Sequence, residues 1–121
     1  MWKTQKWWYN MAMSDLLQKK CVPCEGGAMP MPRDQVEEYM VDVPGWTLDA
    51  EGKKISKTFK FADFIGAINF VERVADVAEM DNHHPDIHVY YSKVTLDLWT
   101  HAIGGLSEND FIVAAKINAV N

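Results

Sequence analysis

The sequence lacks any apolar run that approaches the roughly 20 residues of a membrane-spanning helix, and its start lacks the apolar core of a signal peptide. With 7 glycines and 5 prolines among 121 residues, it also lacks the composition of a fibrous or low-complexity chain. Only two cysteines are present, which indicates a reducing compartment. We therefore expect a soluble, cytoplasmic protein.

Positive charge is scarce. Lys and Arg number 12 against 17 Asp and Glu, the net charge is −5, and no cluster of basic residues occurs. Nucleic acids and anionic membranes attract basic surfaces, so we expect neither as a partner. The apolar fraction of 48% is enough for one hydrophobic core. Residues 1–12 contain three Trp without a stable period and are interpreted as an extension or tag, which leaves residues 13–121 as a single domain.

The pattern after this start predicts two hairpins, each followed by a helix. Residues 53–61 alternate between apolar and polar side chains, and residues 45–49 precede them as a partner strand. Residues 86–91 and 93–98 alternate in the same way and form a second hairpin. We predict the α+β class: a two-layer ββαββα fold with a four-stranded antiparallel sheet and helices packed on one face.

Residues 63–80 change to a helical period. Their predicted core-facing stripe consists of Phe61, Phe64, Ile65, Ile68, Val71, Val74, Ala75 and Ala78. A final helix begins at Ser107, which forms a capping box with Asp110, and reaches about Val120.

Apolar side chains surround this final helix almost completely. Since a sheet covers only one stripe of a helix, we expect a second stripe to be exposed, drawn from Ile112, Val113, Ile117 and Val120. Its burial between helices about a two-fold axis would form a homodimer or homotetramer. The alternative is that the N-terminal segment covers the stripe within one chain.

All four histidines lie between residues 83 and 101. Pro85 ends any helix and favours an extended conformation at His84, so the His-His pair lies in an irregular turn. Antiparallel pairing brings the end of the second hairpin near this turn. The candidate pocket therefore holds three histidines with two carboxylates at its rim: His83, His84, His101, Glu79 and Asp110.

Imidazole titrates near neutral pH and serves as a general acid or base. The sequence contains no serine in a nucleophile-elbow motif and no glycine loop with phosphate-binding spacing, which leaves acid–base chemistry on a small molecule.

A metal site is the competing interpretation, because His88 adds a fourth imidazole. Adjacent histidines point apart, however, and His88 falls on the polar face of a strand. Cys21 and Cys24 form half of a zinc ribbon without a second pair.

The motif E-x3-H-H-P at residues 79–85, followed by Tyr91, His101 and Asp110, resembles the signature of the pterin-4a-carbinolamine dehydratases. Supporting matches are Gly45-Trp46, F-K-F-A-D-F at residues 59–64, Y-S-K-V at residues 91–94 and G-L-S-E-N-D at residues 105–110. The resemblance covers residues 43 to about 120. Asn82 and Trp99 depart from residues common in the family and adjoin its ligand-binding positions.

The resemblance implies that His83, His84 and His101 dehydrate 4a-hydroxytetrahydropterin to quinonoid dihydropterin, without a metal or redox cofactor. The positions expected to contact the substrate are Asn82, Pro85, Trp99 and Thr100. The reaction regenerates the cofactor of aromatic amino acid hydroxylases, which are possible partners. The resemblance also implies that some animal members act in addition as dimerisation cofactors, and that divergent relatives without the histidine set serve as assembly proteins. A non-catalytic binding module is therefore the alternative.

Overall fold

A computed structural model describes residues 15–22 and 29–121. Residues 1–12, which we interpret as an extension, and Cys24 lie outside this part of the chain. Residues 15–18 form one helical turn. The elements that follow are α1 (Arg33–Met40), β1 (Thr47–Leu48), β2 (Ile55–Lys60), α2 (Phe64–Asp81), β3 (Asp86–Tyr90), β4 (Lys93–Leu98), a 3₁₀ turn (His101–Ile103) and α3 (Glu108–Val120). None of the helices in the described ranges is long and apolar enough to cross a membrane.

The four strands form one antiparallel sheet in the order β1-β2-β4-β3. Its central pair, β2 and β4, places Phe59 opposite Val94 and Ile55 opposite Leu98. These alternating side chains point into the core and are at most 4% exposed, whereas intervening residues such as Thr58 and Thr95 bond to each other on the other face. The predicted α+β fold with a four-stranded antiparallel sheet is confirmed.

Helix α2 begins where the Asp63 carboxylate accepts a hydrogen bond from the backbone N–H of Gly66 at 2.8 Å. Its buried face consists of Ala67, Phe70, Val74, Ala78 and Asp81. The predicted stripe is thus right at Val74 and Ala78. It is wrong at Phe64 and Ile65, which are 47% and 63% exposed, and at Ala75, which is also exposed. The buried face of the helix is rotated from the predicted stripe towards Phe70, which lies beside that stripe. The ring of Phe70 packs against Phe59 with centroids 4.5 Å apart.

Helix α3 is buried almost all round within one chain, so the predicted exposed stripe is wrong. Ile112, Val113 and Ile117 are each at most 1% exposed, and Val120 at the end of the helix is half-buried. The segment before the first hairpin covers them. Leu16, in the helical turn 15–18, and Val36, in α1, belong to the same core. Tyr39 of α1 stacks on Phe111 with ring centroids 5.0 Å apart. The alternative stated above, coverage by the N-terminal segment, describes the structure.

A buried ion pair joins the C-terminal end of α2 to α3. Lys116 Nζ donates to Asp81 Oδ2 at 2.7 Å, and the Asp81 side chain is 1% exposed. The other oxygen, Oδ1, has no hydrogen-bond partner among the described residues. An unpaired buried carboxylate would destabilise the fold, so Lys116 stabilises Asp81 by supplying its counter-charge. Asp81 lies one residue before the histidine turn.

We predict that Lys116→Met lowers the free energy of unfolding by about 3 kcal/mol, since it leaves a buried charge without its partner. Urea denaturation measures the change. The control is the double variant Lys116→Met/Asp81→Leu, which removes both charges and should recover most of the loss. An unchanged unfolding midpoint in the single variant would show that the pair contributes nothing.

Candidate active site

A cavity of about 560 Å³ opens where α2 ends and the 3₁₀ turn begins, a size typical of small-molecule sites. Six residues expected at the site line it: Asn82, His83, His84, Trp99, Thr100 and His101. Glu79 and Asp110 lie outside the lining and contact two of its histidines. Pro85 is buried and does not line the cavity, so its position supports a local structural role at the start of β3.

The histidine turn results from the way α2 stops. Asn82 adopts the left-handed conformation with φ 50°, which Asn tolerates better than most residues. The backbone N–H of His83 still bonds to Ala78 O at 3.2 Å, and Pro85 then directs the chain into β3. Both rings therefore leave an irregular segment that is anchored on each side.

His83 is held by a buried carboxylate. Its Nε2 lies 2.7 Å from Asp110 Oδ1, with side chains 13% and 0% exposed. Asp110 Oδ2 accepts from Thr100 Oγ1 at 2.8 Å and from the Ser107 backbone N–H at 3.0 Å, which completes the predicted capping box. An ionised carboxylate only accepts hydrogen bonds, so Nε2 of His83 donates and the ring has one orientation.

His84 has a carboxylate partner in a different environment. Its Nε2 lies 2.6 Å from Glu79 Oε2, but the two side chains are 53% and 77% exposed. Solvent screens this pair, so it contributes little to stability. The imidazole is therefore oriented by Glu79 and remains open to the cavity and to water.

His101 is positioned by stacking. Its ring lies against Trp99 with centroids 3.9 Å apart and an interplanar angle of 25°, and Trp99 Nε1 donates to Asp86 Oδ2 at 3.3 Å. His101 makes no side-chain hydrogen bond to any described residue, so both ring nitrogens are available to a bound molecule. Trp99, a departure from the family pattern, thus has a definite structural role in orienting this ring.

The fourth histidine does not join the site. His88 Nε2 lies 3.1 Å from Asp97 Oδ2 on β4, away from the cavity lining. Across residues 15–22 and 29–121, no group of three or more His, Cys, Asp or Glu side chains is arranged to hold a metal ion. The described side chains therefore do not support the metal interpretation.

Sequence reasoning missed one wall of the cavity, formed by residues 20–22 together with Asn109. Next to it, Glu108 Oε2 accepts from Lys19 Nζ at 2.8 Å and from Tyr39 OH at 2.7 Å. These two donors lower the pKa of Glu108, and burial raises the pKa of Tyr39. Contacts between residues nearly 90 positions apart leave no periodic or motif signal in the sequence.

The fold and the site together define a small α+β protein with three histidines on one cavity at an end of the sheet. A family model described as pterin 4 alpha carbinolamine dehydratase matches residues 29–120. The chain belongs to this family.

Relatives of the chain share most of its length. A Halorhodospira halophila protein assigned by name to the pterin-4-alpha-carbinolamine dehydratases is 50% identical over 105 residues, which cover 87% of this chain and 96% of that protein. The mitochondrial pterin-4-alpha-carbinolamine dehydratase 2 of Arabidopsis thaliana is 43% identical over 111 residues, 88% of this chain and 59% of that protein.

Two solved structures are similar to this one. A transcriptional coactivator/pterin dehydratase from Brucella melitensis has a TM-score of 0.71 and 32% identity, over 75% of this chain and 97% of that chain. A pterin dehydratase-like protein described as a RuBisCO assembly factor of the alpha-carboxysome has a TM-score of 0.54 and 21% identity, over 63% and 88%. The second likeness shows the fold alone.

Proposed function

We propose that this protein is a hydro-lyase that dehydrates 4a-hydroxytetrahydrobiopterin to quinonoid dihydropterin. The observation that carries the proposal is the placement of three imidazoles on one cavity, two of them bonded to carboxylates, in a member of this family. Relatives named as dehydratases at 43–50% identity support the same reaction.

The reaction requires two proton movements. The C4a–O bond breaks as the hydroxyl gains a proton and leaves as water, while N5 loses its proton and the C4a=N5 bond forms. We assign these transfers to His84 and His101, whose rings are exposed at the cavity. His83 has a fixed ring and serves as the oriented hydrogen-bonding group beside them. The proton balance is complete without a metal or redox cofactor.

The product is a dihydropterin that a reductase can return to tetrahydropterin. We therefore place the protein in the cytoplasm as a recycling enzyme for the cofactor of aromatic amino acid hydroxylases, and a hydroxylase is a proposed partner. The acidic chain is suited to a small pterin rather than to nucleic acid or an anionic membrane.

The alternative is a non-catalytic module that uses the same fold to bind or assemble other proteins. The RuBisCO assembly factor shows that the fold occurs in that setting. All three imidazoles and both supporting carboxylates are present here, which favours the enzyme. A binding module would not accelerate the dehydration of a chemically generated 4a-hydroxytetrahydropterin.

We predict that His84→Ala and His101→Ala each lower the dehydration rate above background, by up to the roughly 10² to 10⁴-fold typical of general acid–base groups. Both side chains are exposed, so both variants should fold normally. His88→Ala is the matched control, because this histidine lies outside the cavity and should leave the rate unchanged. A double variant with wild-type turnover would exclude the histidine mechanism.

Self-association is also proposed, through a surface other than the C-terminal helix. Exposed apolar side chains lie at the start of α2, where Ile65 is 63% exposed, and on the edge strand β3, where Ile87 and Val89 are each 37% exposed. Among the described strands, β3 pairs only with β4, so its other edge is open to a second copy of the chain.

We expect sedimentation at micromolar concentration to show a dimer or tetramer. Val89→Lys, which adds a charge to the open edge of β3, should shift the equilibrium towards the monomer. The control is Thr95→Lys on β4, which adds the same charge to the exposed face of the sheet away from that edge. A wild-type chain that sediments as a monomer would contradict self-association.

A further inference from the structure

A short N-terminal strap, residues 19–22, lies against the first turn of α3. The side chain of Asn109 bonds to both backbone groups of Val22: Oδ1 accepts from its N–H at 3.1 Å, and Nδ2 donates to its carbonyl at 2.6 Å. The Cys21 thiol contacts the Asn109 carbonyl at 3.6 Å, and Lys19 pairs with Glu108 at 2.8 Å. The strap is thus attached to α3 at several points.

The attachment is part of the same turn that organises the histidines. Glu108, Asn109 and Asp110 are consecutive: the first two hold the strap, and the third holds His83. Asn109 is 5% exposed, and Leu16, just before the strap, is 3% exposed in the core. The strap therefore has a defined position relative to the catalytic cavity.

Residues 20–22 form one wall of that cavity, alongside the histidines. Asn109 occupies both backbone polar groups of Val22, so neither peptide group of this residue is left to bond to a ligand. Lys20 forms no hydrogen bond or ion pair with any described residue, so its ammonium can donate to a ligand. Such a surface suits a hydroxylated alkyl chain better than the hydrogen-bonding edge of a pterin ring.

We propose that residues 20–22, held by Asn109, contact the substituent at C6 of the tetrahydropterin and determine which tetrahydropterins the enzyme accepts. The inference rests on the proposed dehydratase function. The histidines act at C4a and N5. Because C6 is bonded to N5, its substituent begins beside the reacting atoms and extends towards a neighbouring wall of the cavity.

The test compares two substrates, the 4a-hydroxy forms of tetrahydrobiopterin, with its dihydroxypropyl chain, and of 6-methyltetrahydropterin. Asn109→Ala releases the strap and should raise KM for the first by about tenfold, with kcat within about twofold, since binding contacts are lost without a change in chemistry. KM for the methyl substrate should stay within about twofold. Lys20→Met keeps the aliphatic stem of this exposed residue and should shift KM in the same selective way.

Asn118→Ala is the matched control. Asn118 is on the same helix and does not line the cavity; its amide donates to Pro44 O at 3.1 Å and accepts from Trp46 Nε1 at 3.1 Å. This variant should leave both KM values unchanged even if it lowers stability. The comparison shows whether a change in KM comes from losing any contact between this helix and a loop, or from losing the cavity wall held by Asn109.

Two results would overturn the inference. One is an unchanged KM for the dihydroxypropyl substrate in both Asn109→Ala and Lys20→Met. The other is an equal loss of kcat on both substrates in Asn109→Ala, which would mean that Asn109 acts through Asp110 and His83. A wild-type protein inactive on both substrates would overturn the proposed function itself, and this inference with it.

Discussion

The buried carboxylate of Asp110 is the constraint on which the site depends. A charged group that is 0% exposed must have its hydrogen bonds satisfied within the protein. Its partners come from three places: His83 after α2, Thr100 after β4, and the backbone of Ser107 at the start of α3. The same two oxygens therefore begin a helix, join the ends of two other elements and orient the imidazole of His83.

This arrangement separates the histidines into two kinds. His83 is mostly enclosed and has one ring orientation, whereas His84 and His101 face solvent and are held by an exposed carboxylate and an aromatic ring. Proton transfer benefits from rings that can exchange protons with water, and substrate placement benefits from a ring that cannot turn. The surroundings of the three rings therefore agree with the different roles that we propose for them.

Local pattern was enough to predict the strands, the capping box at Ser107 and the grouping of the three histidines, because alternation, helix caps and proline act over a few residues. It failed for α2, where Phe70 and not Ile65 faces the core, and for α3, whose second face is covered by the chain around Leu16. Both outcomes depend on how distant segments dock. The strap at Val22 had no local signal either, since its partner Asn109 lies 87 residues away.

The most direct test of this account is a double-variant cycle on the dehydration rate of chemically generated 4a-hydroxytetrahydrobiopterin, using Asp110→Asn, His83→Gln and the pair. Residues that act as one unit are non-additive. The account predicts that the wild type accelerates dehydration in proportion to enzyme concentration and that each single variant is slower. It also predicts that the rate of the double variant Asp110→Asn/His83→Gln lies within about twofold of the rate of His83→Gln. Losses that multiply in the double variant, or a wild-type rate equal to buffer, would contradict it.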